Sequence, residues 1–138
     1  MEKNIQHDIR SVLEFKGYHI DEFLFKRNKN FKEKENIDVK IKLAVRVTQD
    51  ESDATVAMVC EIFDDDFSND DFPFYLKVAI AGDFRCTVPN SKDFFELNGT
   101  AILFPYLRAF VTNFTAQAGF PPLILPPINV YKFLERES

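Results

Sequence analysis

A chain of 138 residues with 46% apolar and 28% charged side chains has the composition of a single globular domain, not of a disordered segment. Its formal net charge of −5 argues against a nucleic-acid backbone as partner and makes a basic surface the easier electrostatic match. The N-terminal run MEKNIQHDIRSVLEF has no charged region leading into an apolar stretch, and no segment approaches the ~20 apolar residues of a membrane span, so a cytoplasmic protein without direct membrane insertion is expected.

The first expected strand covers roughly residues 12–27. Tyr18 and Ile20 share one parity and Phe23 and Phe25 the other, which an extra residue at Asp21–Glu22, a β-bulge, would explain. A charged connection, NKNFKEKEN, follows. Residues 37–48, IDVKIKLAVRVT, alternate strictly: Ile37, Val39, Ile41, Leu43, Val45 and Val47 on one face, polar groups on the other. After the polar loop QDESD, residues 54–63 place Val56, Met58, Cys60 and Ile62 on one side and Ala57, Val59, Glu61 and Phe63 on the other. The acidic run DDDFSNDD (64–71) precedes a last strand, 73–88, with Phe74, Leu76, Val78, Ile80, Phe84 and Cys86 inward. Such short connections join neighbours and imply an antiparallel meander.

The pattern then changes period. A helix from about Ala101 or Pro105 to Ala118 is expected, with Leu103, Leu107, Phe110, Phe114 and Ala118 as its apolar stripe, a cap at Asn98 or Thr100, Pro105 in the first turn and Gly119 as the stop. Phe104, Tyr106 and Val111 lie off that stripe, so a second cover is needed, supplied by another subunit or by the segment that follows. That segment, GFPPLILPP (119–127), places four large apolar side chains among two proline pairs. Proline lacks an N–H and fixes φ, so the run must lie extended across a surface. A short amphipathic helix, INVYKFLERE (128–137), follows, with Ile128, Tyr131 and Leu134 on its apolar side and Phe133 beside them. The fold class is therefore α+β in one domain, residues 1–138: a four-stranded antiparallel sheet, a long helix, an extended Pro-rich connector and a short C-terminal helix, with the helices on one sheet face.

Catalytic chemistry finds little support. His7 and His19 have no carboxylate or thiol at motif spacing and read as surface residues, and four glycines form no phosphate loop. Asp64, Asp65, Asp66, Asp70 and Asp71 lack calcium-loop spacing and read as a solvated loop, while Cys60 and Cys86 read as buried thiols. Neither an enzyme nor a cofactor or metal is expected; the surface offers aromatic area, extended backbone and negative charge.

The C-terminal third carries a specific likeness. Leu103-Phe104-Pro105-Tyr106 with Arg108, then Gly119-Phe120-Pro121, then Leu125, Pro127, Ile128 and Asn129, resembles the corresponding stretch of the SecB family of bacterial protein-export chaperones, and residues 59–62, VCEI, resemble its third strand. The resemblance implies a homotetramer, a dimer of dimers with long helices between two sheets, that binds unfolded precursor proteins in apolar grooves and passes them to the SecA motor ATPase. It places Phe120, Leu123, Ile124, Leu125, Tyr131 and Phe133 in the client groove. It also places Glu61, Val59 and Asp21 or Glu22 on an acidic patch for the basic, zinc-bearing tail of SecA, with Lys26 where the family has a further acid. A chaperone dedicated to an antitoxin in a toxin–antitoxin–chaperone module is the alternative within the same resemblance. A structural homo-oligomer whose aromatics are all interface is a third reading.

Overall fold

A computed structural model describes residues 13–67, 71–87 and 92–137; His7, Val12, Asp70 and Val88 lie outside the described residues. Four strands, β1 (Leu13–Arg27), β2 (Ile41–Asp50), β3 (Asp53–Ile62) and β4 (Phe74–Cys86), form one antiparallel sheet in the order β1-β4-β3-β2. The expected meander holds from β2 to β4. β1 pairs with the far side of β4, so both β1 and β2 are edges, and the connection 28–40 runs from one edge strand to the other.

Alternation explains the inner face. Val56, Met58, Cys60, Ile62, Leu76, Val78 and Ile80 are all fully buried, at the parity read from the sequence. In β1 the register slips between Ile20 and Glu22, as the parity flip required, and also between Phe15 and Gly17. Lys16 and Asp21 are thus two extra residues, and they bring Leu13, Phe15, Tyr18, Ile20, Phe23 and Phe25 onto the face opposite inward β4 residues. β2 is shorter than its pattern. It starts at Ile41, and Ile37 and Val39, expected inside a strand, lie before it with 37% and 46% of their surface exposed.

The helical layer departs further from expectation. The long helix, α1, opens with a turn at Lys92–Phe94, continues as a π segment at Phe95–Gly99 and becomes regular over Thr100–Gln117. Asn98 and Thr100 cap nothing, because Gly99 is itself helical at φ −63°, and Pro105 lies within the helix instead of at its start. The side chains turned to the sheet are Leu103, Phe104, Leu107, Val111 and Thr115, all buried. Phe104 and Val111 therefore belong to the core, while Phe110 and Phe114, expected at its centre, are only partly buried and lean on β1, with ring centroids 5.1 and 4.6 Å from Phe23. The stop is as expected: Gly119 takes φ +95°, Phe120 N–H donates to Thr115 O at 3.0 Å and Gly119 N–H to Ala116 O at 3.2 Å, a Schellman closure. A short helix, α2 (Val130–Glu137), follows the connector, with the Asn129 side chain accepting from Lys132 N–H at 3.2 Å as its cap.

Gly99 shows why an Asn-Gly pair need not be a turn. A Cβ there would come 2.7 Å from Val56 Cγ2, so this glycine lets α1 approach β3 closely. Helix propensity alone makes Gly99→Ala stabilising by about 1 kcal/mol, whereas overpacking costs about 1–3 kcal/mol. The clash should win, and a lower urea midpoint for Gly99→Ala is the expected result; a raised midpoint would contradict it.

Candidate functional site

The connector between the helices is held by one residue. Leu123 N–H donates to Thr115 Oγ1 at 2.9 Å, and Thr112 Oγ1 donates to Leu123 O at 2.9 Å. Thr115 is fully buried and its hydroxyl in turn donates to Val111 O at 2.9 Å, so the oxygen that receives Leu123 is fixed in α1. With Pro121, Pro122, Pro126 and Pro127 unable to donate, this clamp sets how the extended run crosses the helix.

From that anchor the apolar side chains diverge. Leu125, expected in a groove, is 2% exposed and belongs to the core, because the clamp turns the backbone so that it sinks beneath the connector. Ile124 is 71% exposed on the opposite side. Phe120 lies between the rings of Phe74 and Phe25, at 4.9 and 6.2 Å, and under the Arg27 guanidinium at 4.4 Å. Phe133 is partly buried on α2, and the Tyr131 side chain lies outside the described residues.

Phe120 and Leu123 line one wall of an open groove of about 720 Å³. The facing wall is the connection 28–40, through Phe31, Ile37 and Val39, and the floor is formed by Phe63 and Phe74. From sequence, residues 28–36 of this connection read as a charged link and residues 37–40 as the start of a strand. The signal was present in an alternation that continues before β2 with no partner strand to receive it. Asn28 rivets this wall: it is 7% exposed, its Nδ2 donates to Phe72 O at 2.9 Å, its N–H to Pro73 O at 3.0 Å, and its Oδ1 accepts from Asn30 N–H at 3.1 Å. A second apolar surface, with Tyr18, Ile20 and Tyr106 more than a third exposed, runs where β1 meets α1, and Tyr18 stacks on Tyr106 at 4.4 Å.

The outer sheet face brings the predicted acids together. Glu22 and Val59 both pair with Ala79, and Glu61 lies opposite Lys77 one step along the same ladder. Tyr75 donates to Glu61 Oε2 at 3.0 Å, and Lys77 Nζ stands 3.1 Å from Glu22 Oε1. Asp21, the bulge residue, accepts from His19 at 2.9 Å, so His19 does have a carboxylate beside it, which the bulge creates. Lys26 stands opposite Tyr75 at the margin of this patch. Burial, then the hydrogen bond and charge of Glu61 with Asp65 and Glu22 beyond, push the Tyr75 hydroxyl up to about 12. Burial and Glu61 likewise push the Cys60 thiol up to about 12. Asp64 is held below its ordinary value by the hydrogen bond from Lys40, 2.9 Å away, with Lys42 behind it. Among the described residues, no group of three or more His, Cys, Asp or Glu is placed to hold a metal ion, and no helix is long and apolar enough to cross a membrane.

Comparison with known proteins identifies the family and the fold. The profile of the family described as Preprotein translocase subunit SecB matches residues 22–137. Protein MJ0357 of Methanocaldococcus jannaschii is 35% identical over 129 residues, covering 88% of this chain and 81% of its own. Protein-export protein SecB of Neisseria gonorrhoeae is 33% identical over 89 residues, covering 62% of this chain and 57% of its own. The fold matches a solved SecB-like chaperone of Mycobacterium tuberculosis, in complex with a ChAD peptide from the HigA1 antitoxin, at a TM-score of 0.72 and 14% identity over 91% of this chain and 97% of that one.

Replacing Thr115 by Val keeps its volume and removes the acceptor for Leu123 N–H, which should cost about 1–3 kcal/mol. Urea unfolding reads this directly; a midpoint within error of wild type would mean that the clamp is dispensable. Stability should also fall in alkali. Cys60 and Tyr75 have ordinary values of 9.0 and 10.0 and folded values of about 12, so between those limits the unfolded chain releases protons that the native chain keeps. The urea midpoint should be level from about pH 6 to about pH 9, fall as pH rises towards 12, and fall later in Cys60→Ala. A level profile throughout would refute this.

Proposed function

Because the chain belongs to the SecB family of chaperones, we propose that it is an ATP-independent holdase: it binds unfolded polypeptides in the cytoplasm, keeps precursors competent for export and hands them to a SecA-type motor. The observation that carries this reading is the groove between the connector and the 28–40 wall. Its apolar lining includes Ile37 and Val39, exposed by more than a third in a chain with ample core in which to bury them. An unfolded client offers scattered apolar side chains and unpaired backbone, and an open trough of aromatic and branched side chains accepts many such sequences. Phe120 and Leu123 form its connector wall; Ile124 and Phe133 extend the client surface beyond it.

Two further features fit the assembly and the hand-over. The aromatic surface of Tyr18, Ile20, Phe23 and Tyr106, beside the edge strand β1, is the face we assign to a second copy in a dimer of dimers. The patch of Glu22, Val59 and Glu61, with Asp21 at its rim, is assigned to a basic motor segment, which would compete with Lys77 for Glu22. Dedication to an antitoxin is the second reading, favoured by the fold shared with the Mycobacterium tuberculosis chaperone.

The test is binding of an unfolded and a native secretory precursor, with the mass of the complex recorded. Tight binding of the unfolded form alone, by a tetramer, is expected. Ile37→Ser with Val39→Ser should weaken it roughly tenfold while leaving the urea midpoint close to wild type. Glu61→Lys should spare client binding and lose the motor. Equal affinity for native and unfolded precursor would remove the holdase reading, and tight binding of an antitoxin alone would select the second.

A further inference from the structure

The client groove is cationic in an acidic protein. The stretch 26–35, KRNKNFKEKE, holds Lys26, Arg27, Lys29, Lys32 and Lys34 against only Glu33 and Glu35, in a chain whose net charge is −5. Of these, Arg27, Lys29 and Lys34 line the groove, with Glu33 as the acid among its described lining residues. Asp71 stands beside the groove as the partner of Lys34, and other acids gather on the outer sheet face around Glu22, Glu61 and Asp64.

Arg27 is the fixed element of this rim. Its Nη2 donates to Ala118 O, the guanidinium lies 4.4 Å above the Phe120 ring, and the absent side chain of Gly119 makes room for it: a Cβ there would lie 3.2 Å from Nη2. A guanidinium has five N–H donors, and among the described residues this one meets no carboxylate, so donors remain for an arriving anion. Lys29 likewise has no ion-pair partner among the described residues. Lys34 is joined to Asp71 at 3.1 Å, but both side chains are about half exposed, at 50% and 54%, and an exposed pair of that kind exchanges partners at little cost. An apolar trough ringed by an anchored arginine and two accessible lysines is complementary to one kind of extended chain.

We propose that this groove selects extended apolar segments flanked by aspartate or glutamate over the same segments flanked by lysine or arginine. The proposal rests on the holdase reading and specifies its client class. Apolar side chains of the client occupy the trough between Phe120 and Val39, and a flanking carboxylate meets Arg27 or Lys29 at the rim. Basic flanks would face repulsion there, and the outer acidic patch cannot rescue them because it lies on the other side of the sheet.

Three fluorescent peptides sharing one apolar core, with flanking Asp, Ser or Lys residues, test this by anisotropy against the full chain. The Asp-flanked peptide should bind roughly three- to tenfold tighter than the Lys-flanked one at low salt, with the Ser-flanked peptide between them, and the spread should narrow as salt is raised. In Lys29→Glu with Lys34→Glu, checked for an unchanged urea midpoint, the order should collapse or invert. Equal binding of the three peptides, tighter binding of the Lys-flanked one, or an order untouched by the charge reversal overturns the selectivity and leaves the holdase reading standing. No binding of any peptide overturns both. Should the double variant fail to fold, the wild-type order and its salt dependence still decide the matter.

Discussion

The hydrogen bonds between Leu123 and the hydroxyls of Thr112 and Thr115 are the constraint on which the connector side of this molecule depends. A segment with two proline pairs has few backbone donors and cannot join the sheet, so without an anchor it would be a tether with apolar side chains. Threonines one turn apart on α1 supply that anchor. Once Leu123 is fixed, Leu125 must enter the core, Ile124 must face solvent, and Phe120 must lie over Phe74 where the groove begins. The threonines mark the place where a helix face stops serving the sheet and starts serving the connector.

Aromatic packing does comparable work at the other side of α1. Phe15, Phe23 and Phe25 meet Tyr106, Phe110 and Phe114 in tilted and edge-on pairs. Phenylalanine gives large area at low entropic cost, and each such pair adds about 0.5–1.5 kcal/mol beyond burial. It also leaves rings half covered at the edge of the sheet, with Tyr18, Phe23 and Tyr106 each more than a third exposed. The outer face follows a different rule, since each predicted acid already has a donor or cation beside it.

Much of the architecture was legible because strand alternation is a period-2 signal that burial enforces. The inward sets of β3 and β4, the bulge at Asp21 and the Gly119 stop all follow from residue parity or from one special φ. The misses have physical reasons. The start of α1 was hidden because Asn98-Gly99 is ordinarily a turn pair, and nothing local reveals that a helix must approach Val56 so closely. The core stripe of α1 was misplaced because Phe is the largest apolar residue but not the one pointing inward here; smaller Val111 and Thr115 fit against the sheet and Phe110 and Phe114 do not. That Phe120 and Leu123 lie along an extended run was readable from the proline pairs, while the roles proposed for them and for Glu61 rest on the family likeness. Leu125 turns into the core and residues 28–36 form a groove wall where only a charged connection was read, since both depend on tertiary anchors, the threonine clamp and Asn28, that the local sequence does not display.

The two extra residues of β1 make this strand tolerant of length changes in a particular way. Because Lys16 and Asp21 each invert the alternation, losing either one alone would turn every side chain on one side of it to the wrong face, whereas losing both would cancel for the residues beyond the pair. Related chains should therefore gain or lose residues here in twos, or pair a deletion with a compensating shift of the aromatic positions. The parity of Phe15, Tyr18 and Phe23 is then a more durable inheritance than the identity of any one of them.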